Sequence, residues 1–434
     1  MAKESNFDKK QQRRDAERRQ ARARRRAAFR KAVTLSLVAL VALLVIGVVL
    51  YRHFTVEDPQ LSTEPSTSTA APTTTAPTQP TAPLNPTDRI ELVFGGDLVI
   101  NDMVVAAGGE AGQYDYTGIF QDLLPVLASA DASGINFEGS TAGQPYGSAT
   151  ASAPPALLSA LAHAGVDLIQ LSNSYTVTNG ILGLHDTMQN IRSAGMIPIG
   201  AYADQETAQR EQGFTLCDIG GIRVALVAFT KGMNGLGLPT GNEHCVNLLY
   251  KDYASTYQKI DTDGIRKVLR DVQEQQPDIT IALLHWGSEF NSIVSTRQET
   301  ISGLMLEEGV DAIIGTHSHY VQKIVYDQEN SNVIAYSLGD LYGDGEKTGT
   351  NYSILLELEI TKDNVTGQTR ITGCDYIPVY TLTPERDGEP MKVVRIMEQI
   401  SMYENNHISK VGEKAYQNMK SALEKIRSKT GLYN

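Results

Sequence analysis

Two short apolar runs stand out along the chain. Ile279 to Leu284 ends in His285-Trp286-Gly287, and Ala312-Ile313-Ile314-Gly315 ends in Thr316-His317-Ser318-His319. Runs rich in β-branched residues without polar alternation predict strands buried on both faces, as in a parallel sheet. Each histidine group then falls at a strand's carboxyl end, where open α/β sheets place their ligands. Further strands are predicted at Arg89–Phe94, Ala132–Phe137, Val166–Leu171, Ile197–Ala201, Val333–Leu338 and, with clean alternation, Tyr352–Ile360. Phe214–Cys217 and Arg223–Phe229 flank the hairpin-like turn Asp218-Ile219-Gly220-Gly221. Helical spacing is found at Phe120–Ala130, Pro155–Ala164, Gly183–Ala194, Gly264–Gln275 and Met391–Arg427.

The pattern changes character toward the N-terminus. Ala32 to Tyr51 is a twenty-residue run without a charge, long enough to cross a hydrocarbon core as a helix. It exceeds a signal-peptide h-region, and no Ala-x-Ala cleavage site follows it. Residues 1–31 carry thirteen Lys or Arg against four Asp or Glu, a local +9, so the overall −12 leaves −21 on the remainder. A basic cluster before the span predicts a cytoplasmic N-terminus and an acidic exterior. The expected organisation is a basic tail (1–31), a single-pass signal anchor in the cell membrane (32–51), a Thr/Pro-rich linker (52–88), a folded extracellular domain (89–385) and a C-terminal helical segment (386–434). The linker has too little apolar side chain to bury and is expected to remain a disordered stalk. Membrane lipid is the expected partner of the N-terminal helix and of the basic tail before it, and the acidic exterior argues against nucleic acid.

Candidate chemistry gathers at strand ends. Three of the eight histidines, His285, His317 and His319, fall in the two runs above. A His-x-His spacing in an extended segment puts both imidazoles on one side, where neutral ring nitrogens can share a metal. Asp97 closes the first strand after Gly95-Gly96, and Glu138 closes the second in Asn136-Phe137-Glu138-Gly139. Carboxylates and imidazoles from separate strand ends are what a two-metal hydrolytic site requires. His163 and His185 lie in helical stretches and are read as surface residues. Cys217, Cys245 and Cys374 are too few and too scattered for a disulfide scaffold, though one pair has the numbers to bridge.

These groups in this order, with Leu171-Ser172-Asn173, Gly183-Leu184-His185-Asp186-Thr187, Gly200-Ala201 with Glu206, His285-Trp286-Gly287-Ser288-Glu289-Phe290, Gly315 to His319 with Gln322, and Tyr336-Ser337-Leu338-Gly339-Asp340, resemble the CapA family of poly-gamma-glutamate capsule biosynthesis proteins. That family is related to calcineurin-like metallophosphoesterases. The resemblance spans about residues 89–385 and implies a four-layer α/β/β/α sandwich of metallophosphoesterase type. It implies one divalent metal (Mn, Zn or Fe) on Asp97, Glu138 and His319 and a second on Glu138, His285 and His317, with His285, Asn173 and Tyr175 as catalytic candidates.

One stretch departs from the family pattern. Where the family has Asn-Asn-His, this chain has Asn173-Ser174-Tyr175, and Thr178 replaces a downstream Asp. Serine is a poor metal ligand, and a tyrosine with an ordinary pKa near ~10 is a weak acid at neutral pH. The resemblance implies a membrane-anchored protein acting in synthesis, export or anchoring of an anionic surface polymer such as poly-gamma-glutamate, alongside membrane polymer-synthesis proteins. Two other readings stay open: a metal-dependent hydrolase of a cell-envelope phosphoester or amide, and a non-catalytic polymer-binding or assembly protein with a degenerate metal site.

Overall fold

The computed structural model describes residues 86–110, 112–343, 345–405 and 411–432. The basic tail, the span at 32–51 and nearly all of the stalk lie outside the described residues. Among the described residues no helix is long and apolar enough to cross a membrane.

In chain order the strands are β1 (Thr87–Val99), β2 (Ala132–Glu138), β3 (Leu168–Gln170), β4 (Ile197–Ile199), β5 (Phe214–Ile219), β6 (Ile222–Thr230), β7 (Ile279–His285), β8 (Ala312–Thr316), β9 (Ile324–Asp327), β10 (Asn332–Ala335), β11 (Asp340–Tyr342), β12 (Tyr352–Asp363), β13 (Thr369–Leu382) and β14 (Lys392–Arg395). They form an eight-stranded sheet, ordered β14-β13-β12-β1-β2-β3-β4 with β11 also on β1, and a six-stranded sheet, ordered β5-β6-β7-β8-β10-β9. Strands β6, β7 and β8 run parallel, and every residue of β7 and β8 is buried, as their unbroken apolar runs require.

The two sheets pack face to face. Leu92 and Phe94 of β1, Leu168 and Ile199 meet Leu226, Ile281, Leu283 and Ile314 in one buried cluster. Val93, between Leu92 and Phe94, points the other way, because a strand alternates its side chains. It joins Ile135 and Ile169 against Leu157 and Leu161 of the helix Ala156–His163 and Leu184, Met188 and Ile191 of the helix Gly180–Ser193. On the far side, Val227, Ala282 and Ile313 pack on Ile265 and Leu269 of the helix Thr262–Glu274 and Ile301 and Met305 of the helix Thr296–Glu307. The order of layers is therefore α/β/β/α.

The structure differs from the sequence pattern at several places. The helix expected at Phe120–Ala130 shrinks to Leu124–Leu127, with Pro125 in its first turn. The continuous helix expected at Met391–Arg427 is broken: Val393 and Val394 place Lys392–Arg395 as an antiparallel edge strand on β13, and the helices Ile396–Glu404 and Glu413–Thr430 follow. The latter buries Ala415, Met419, Ala422, Leu423 and Ile426 in the same cluster as Tyr376, Tyr380 and Val394, a spacing that keeps one stripe of the helix on the sheet. The helix Thr296–Glu307, absent from the sequence reading, starts at a reciprocal Ser295–Gln298 capping box. All three cysteines are free.

β1 also runs past the expected turn at Gly95-Gly96, with a shift of register on β2 between Phe94 and Asp97. A Cβ on Gly96 would lie 1.8 Å from the Gly339 carbonyl oxygen, so only glycine lets the Asp97 amide donate to that oxygen at 2.9 Å. That approach brings Asp97 level with Asp340, its register partner on β11.

Candidate metal centre

The site is built where β1, β2, β7 and β8 end side by side. Asp97 and Glu138 are fully buried, and the Asn136 amide ties them together, donating to Asp97 Oδ1 at 2.6 Å and to Glu138 Oε1 at 3.5 Å. His285 is wholly buried at the end of β7, with its Nδ1 3.4 Å from Glu138 Oε1. After β8 the chain turns sharply: His317 and His319 have φ of 87° and 59°, left-handed values that strain non-glycine residues. The His317 amide donates to Asp97 Oδ2 at 3.0 Å, which holds the strained turn against the first sheet. Gly315 makes the turn possible, since a Cβ there would meet the Tyr336 carbonyl oxygen at 2.0 Å and Trp286 Nε1 at 2.4 Å. Trp286 Nε1 donates to that carbonyl at 2.9 Å, locking β7 to the segment after β10.

Two donor groups result, and within each one the ligand atoms all lie within 4.8 Å of one another: Glu138, His285 and His317, and Asp97, His319 and Asp340. The rings of His285 and His317 are 4.4 Å apart and those of His317 and His319 6.2 Å, so the groups adjoin. The first is the expected set. The second adds Asp340 beside Asp97 and His319, its Oδ1 2.8 Å from His319 Nδ1, while Glu138 stays tied to Asp97 through Asn136. In the sequence Asp340 stands out only as the end of the Tyr336-to-Asp340 motif. Its position after a buried strand and a glycine, as at Asp97, was the signal that it is a strand-end carboxylate.

Burial sets the electrostatics. Desolvation raises Asp97 and drives Glu138 well above the usual carboxylate range, reinforced at Glu138 by the Asp97 charge. Desolvation also holds His285 and His317 well below an ordinary imidazole, so both are neutral. For His319 burial again opposes the charge, but Asp340 and Glu138 outweigh it and lift the pKa to about 11. The His317 Nε2 atom is buried without any hydrogen-bond partner. A buried orphan nitrogen is costly in a closed protein interior and natural for a metal ligand.

Residues 91–345, which include every ligand candidate above, match the family model of the bacterial capsule synthesis protein PGA_cap. The chain belongs to that family. Among its relatives, the capsule biosynthesis protein CapA of Bacillus anthracis is 24% identical over 323 residues, covering 73% of this chain and 72% of its own. The PGA biosynthesis protein CapA of Bacillus subtilis is 24% identical over 313 residues, 71% of this chain and 77% of its own. Among solved structures, the calcineurin-like phosphoesterase YfkN of Bacillus subtilis aligns with 79% of this chain and 98% of its own, at 13% identity and a TM-score of 0.40.

Within this PGA_cap protein the stretch that departs from the pattern closes over the site. Ser174 is buried, with its hydroxyl 3.0 Å from His285 Nε2. Asn173 does not face the histidines: its amide donates to Asn136 Oδ1 at 3.0 Å and to the Phe137 carbonyl at 2.8 Å, and its Oδ1 accepts from the Tyr175 amide at 2.9 Å. Its place is behind the ligands, orienting Asn136. Tyr175 is half-buried, and desolvation with the charges of Glu138 and Glu289 pushes its hydroxyl up to about 12, so it stays protonated and donates. On the opposite side Phe290 stacks on His319 with ring centres 4.9 Å apart, and the Lys347 ammonium lies 3.2 Å from the Phe290 ring centre. His163 and His185 are exposed, as expected.

Proposed function

We propose that this PGA_cap protein acts in the synthesis, export or anchoring of an anionic surface polymer, poly-gamma-glutamate being the model, and that its strand-end cluster is a divalent-metal hydrolytic centre. The observation that carries the site is the group Glu138, His285 and His317, with two neutral imidazoles and an orphaned Nε2 sealed inside the protein. Asp97, His319 and Asp340 would hold a neighbouring ion. Carboxylate oxygen with imidazole nitrogen suits Mn, Fe or Zn. A bound ion there would lower the pKa of water and polarise a phosphoryl or carbonyl oxygen. The chain's own part is to align the carboxylates through Asn136, to exclude water, and to present the Tyr175 hydroxyl to a substrate oxygen.

The family match supports the polymer role, since both relatives named above carry capsule or PGA biosynthesis in their names. The sequence supports a single-pass anchor at 32–51 with the basic tail in the cytoplasm and the folded domain outside, next to membrane polymer-synthesis proteins. Deleting the gene and measuring surface polymer tests the role: an unchanged polymer rejects it. Protease shaving of intact cells tests the topology, because an external domain is removed and an internal one survives.

A second reading is favoured by one observation. Ser174 occupies His285 Nε2 with a hydroxyl instead of offering a metal-binding amide. This supports a centre that binds polymer or turns over slowly. Metal analysis of the purified chain, followed by assay on an aryl phosphodiester with added manganese, separates the two.

A further inference from the structure

One cation beside the centre has no role in the account above. Lys231 is the residue immediately after β6, and β6 lies parallel to β7 with Thr230 in register with His285. Its backbone amide donates to the His285 carbonyl at 2.8 Å, and its ammonium donates to the Gly287 carbonyl at 2.8 Å. The ammonium also lies 4.5 Å from the centre of the Tyr257 ring. The backbone there is tightly placed: a Cβ on the following Gly232 would meet the Tyr253 carbonyl oxygen at 2.3 Å.

Lys231 stands beside the centre without a close anion. Lys267, Lys362 and Lys392 each have a carboxylate within 2.7 Å. Lys231 is half-buried, and among the described residues no carboxylate lies within ion-pairing distance of it, the exposed Glu289 acting on it only from farther off. Sheltering a cation costs free energy unless a counter-charge or strong acceptors compensate. One carbonyl and one aromatic face are partial compensation for an ammonium that carries three donors. Lys347 lies against Phe290 on the His319 side, whereas Lys231 stands on the His285 side.

We propose that Lys231 is a substrate-binding residue that takes an anionic oxygen of the substrate at the metal centre. Resting on the reading above, that oxygen belongs to a side carboxylate of the polymer. The unit being acted on is thereby anchored beside His285, and an uncharged polyamide of the same length is discriminated against, because it leaves the ammonium uncompensated.

The test measures equilibrium binding of poly-gamma-glutamate, of neutral polyglutamine and of inorganic phosphate to the manganese-loaded full-length chain in detergent. Wild type is compared with Lys231→Arg, Lys231→Met and Lys231→Gln, the last of which keeps a donor for the Gly287 carbonyl. A charge-assisted hydrogen bond predicts that Met and Gln both weaken poly-gamma-glutamate binding by about tenfold or more. Arg should stay within about threefold, while manganese content and melting temperature stay level across the set. Met and Gln variants that bind the polymer as tightly as wild type overturn the assignment, and so does a loss that Arg does not restore. If wild type binds phosphate but not the polymer, and the Met and Gln variants lose phosphate, the polymer reading fails while Lys231 stands as an anion anchor. A wild-type chain that binds neither anion rejects both.

Discussion

The two halves of the centre use the same residue types to opposite electrostatic ends. Around Glu138, the imidazoles of His285 and His317 are neutral and one nitrogen has no partner, so the group is short of positive charge and of a donor or ion to satisfy it. Around Asp97, the His319 imidazole keeps a proton up to a pKa of about 11 because Asp340, then Glu138 and Asp97, outweigh its burial, so that group is already internally balanced. The same His-x-His motif supplies both kinds of histidine. The contrast teaches that spacing delivers a ring to a strand end, while the neighbouring carboxylates decide whether it waits for a metal or holds a proton. A metal must displace a proton to bind His319, whereas the neutral His317 ring carries no cationic proton to lose.

The comparison breaks most visibly at Glu138. Glu138→Gln should reduce manganese affinity at the His285–His317 group by more than the ~10–100-fold that groups orienting a ligand are worth. Because the folded metal-free protein holds Glu138 with a raised pKa, the same change should leave or raise its melting temperature. Metal analysis with thermal melts checks both, and an unchanged metal content would show that Glu138 is not a ligand.

Next in size, His319→Ala should destabilise the metal-free protein by about 3 kcal/mol, since it strands buried carboxylates that had a partner. His317→Ala, which removes an unpartnered nitrogen, should cost much less apart from the lost packing. Chemical denaturation of the chelated variants separates them, and equal losses would erase the distinction drawn between the two groups.

The pH profile gives a smaller effect. His319 is raised from 6.5 to about 11, so its contribution to stability is complete below 6.5 and disappears as pH rises through about 11. His285 and His317 are depressed, so their contribution is present above 6.5 and is lost as pH falls below it. Chelated protein should therefore melt lower on both sides, and His319→Gln should remove the alkaline loss alone. A flat alkaline limb in wild type would contradict the His319–Asp340 pairing. The smallest expected change is a gain: Ser174→Asn with Tyr175→His should tighten manganese binding several-fold and raise any phosphodiesterase activity, within the ~10²–10⁴-fold that a general acid supplies. No gain in either would show that Ser174 and Tyr175 are not what limits the site.

The sequence by itself determined where the chemistry sits. An apolar run that ends in a histidine or a carboxylate is a local statement, and the physics of strand burial turns it into a position at the sheet's carboxyl edge, as for Asp97, Glu138, His285, His317 and His319. The α/β/β/α layering was legible through resemblance, and each strand's alternation, as in Leu92, Val93 and Phe94, agrees with it. Only the tertiary structure decided which of those groups meet. Asp340 joins Asp97 because Gly96 and Gly339 allow two backbones to touch, and Ser174 reaches His285 across 111 positions of sequence. Lys231 gained its meaning when β6 was found in register with β7, which nothing in its flanking residues announces. Likewise Lys392–Arg395 reads as helix locally and becomes a strand because β13 offers it an edge. Local pattern fixes what a residue can be, but charge balance and pairing depend on neighbours distant in the chain, and those are supplied only by the folded arrangement.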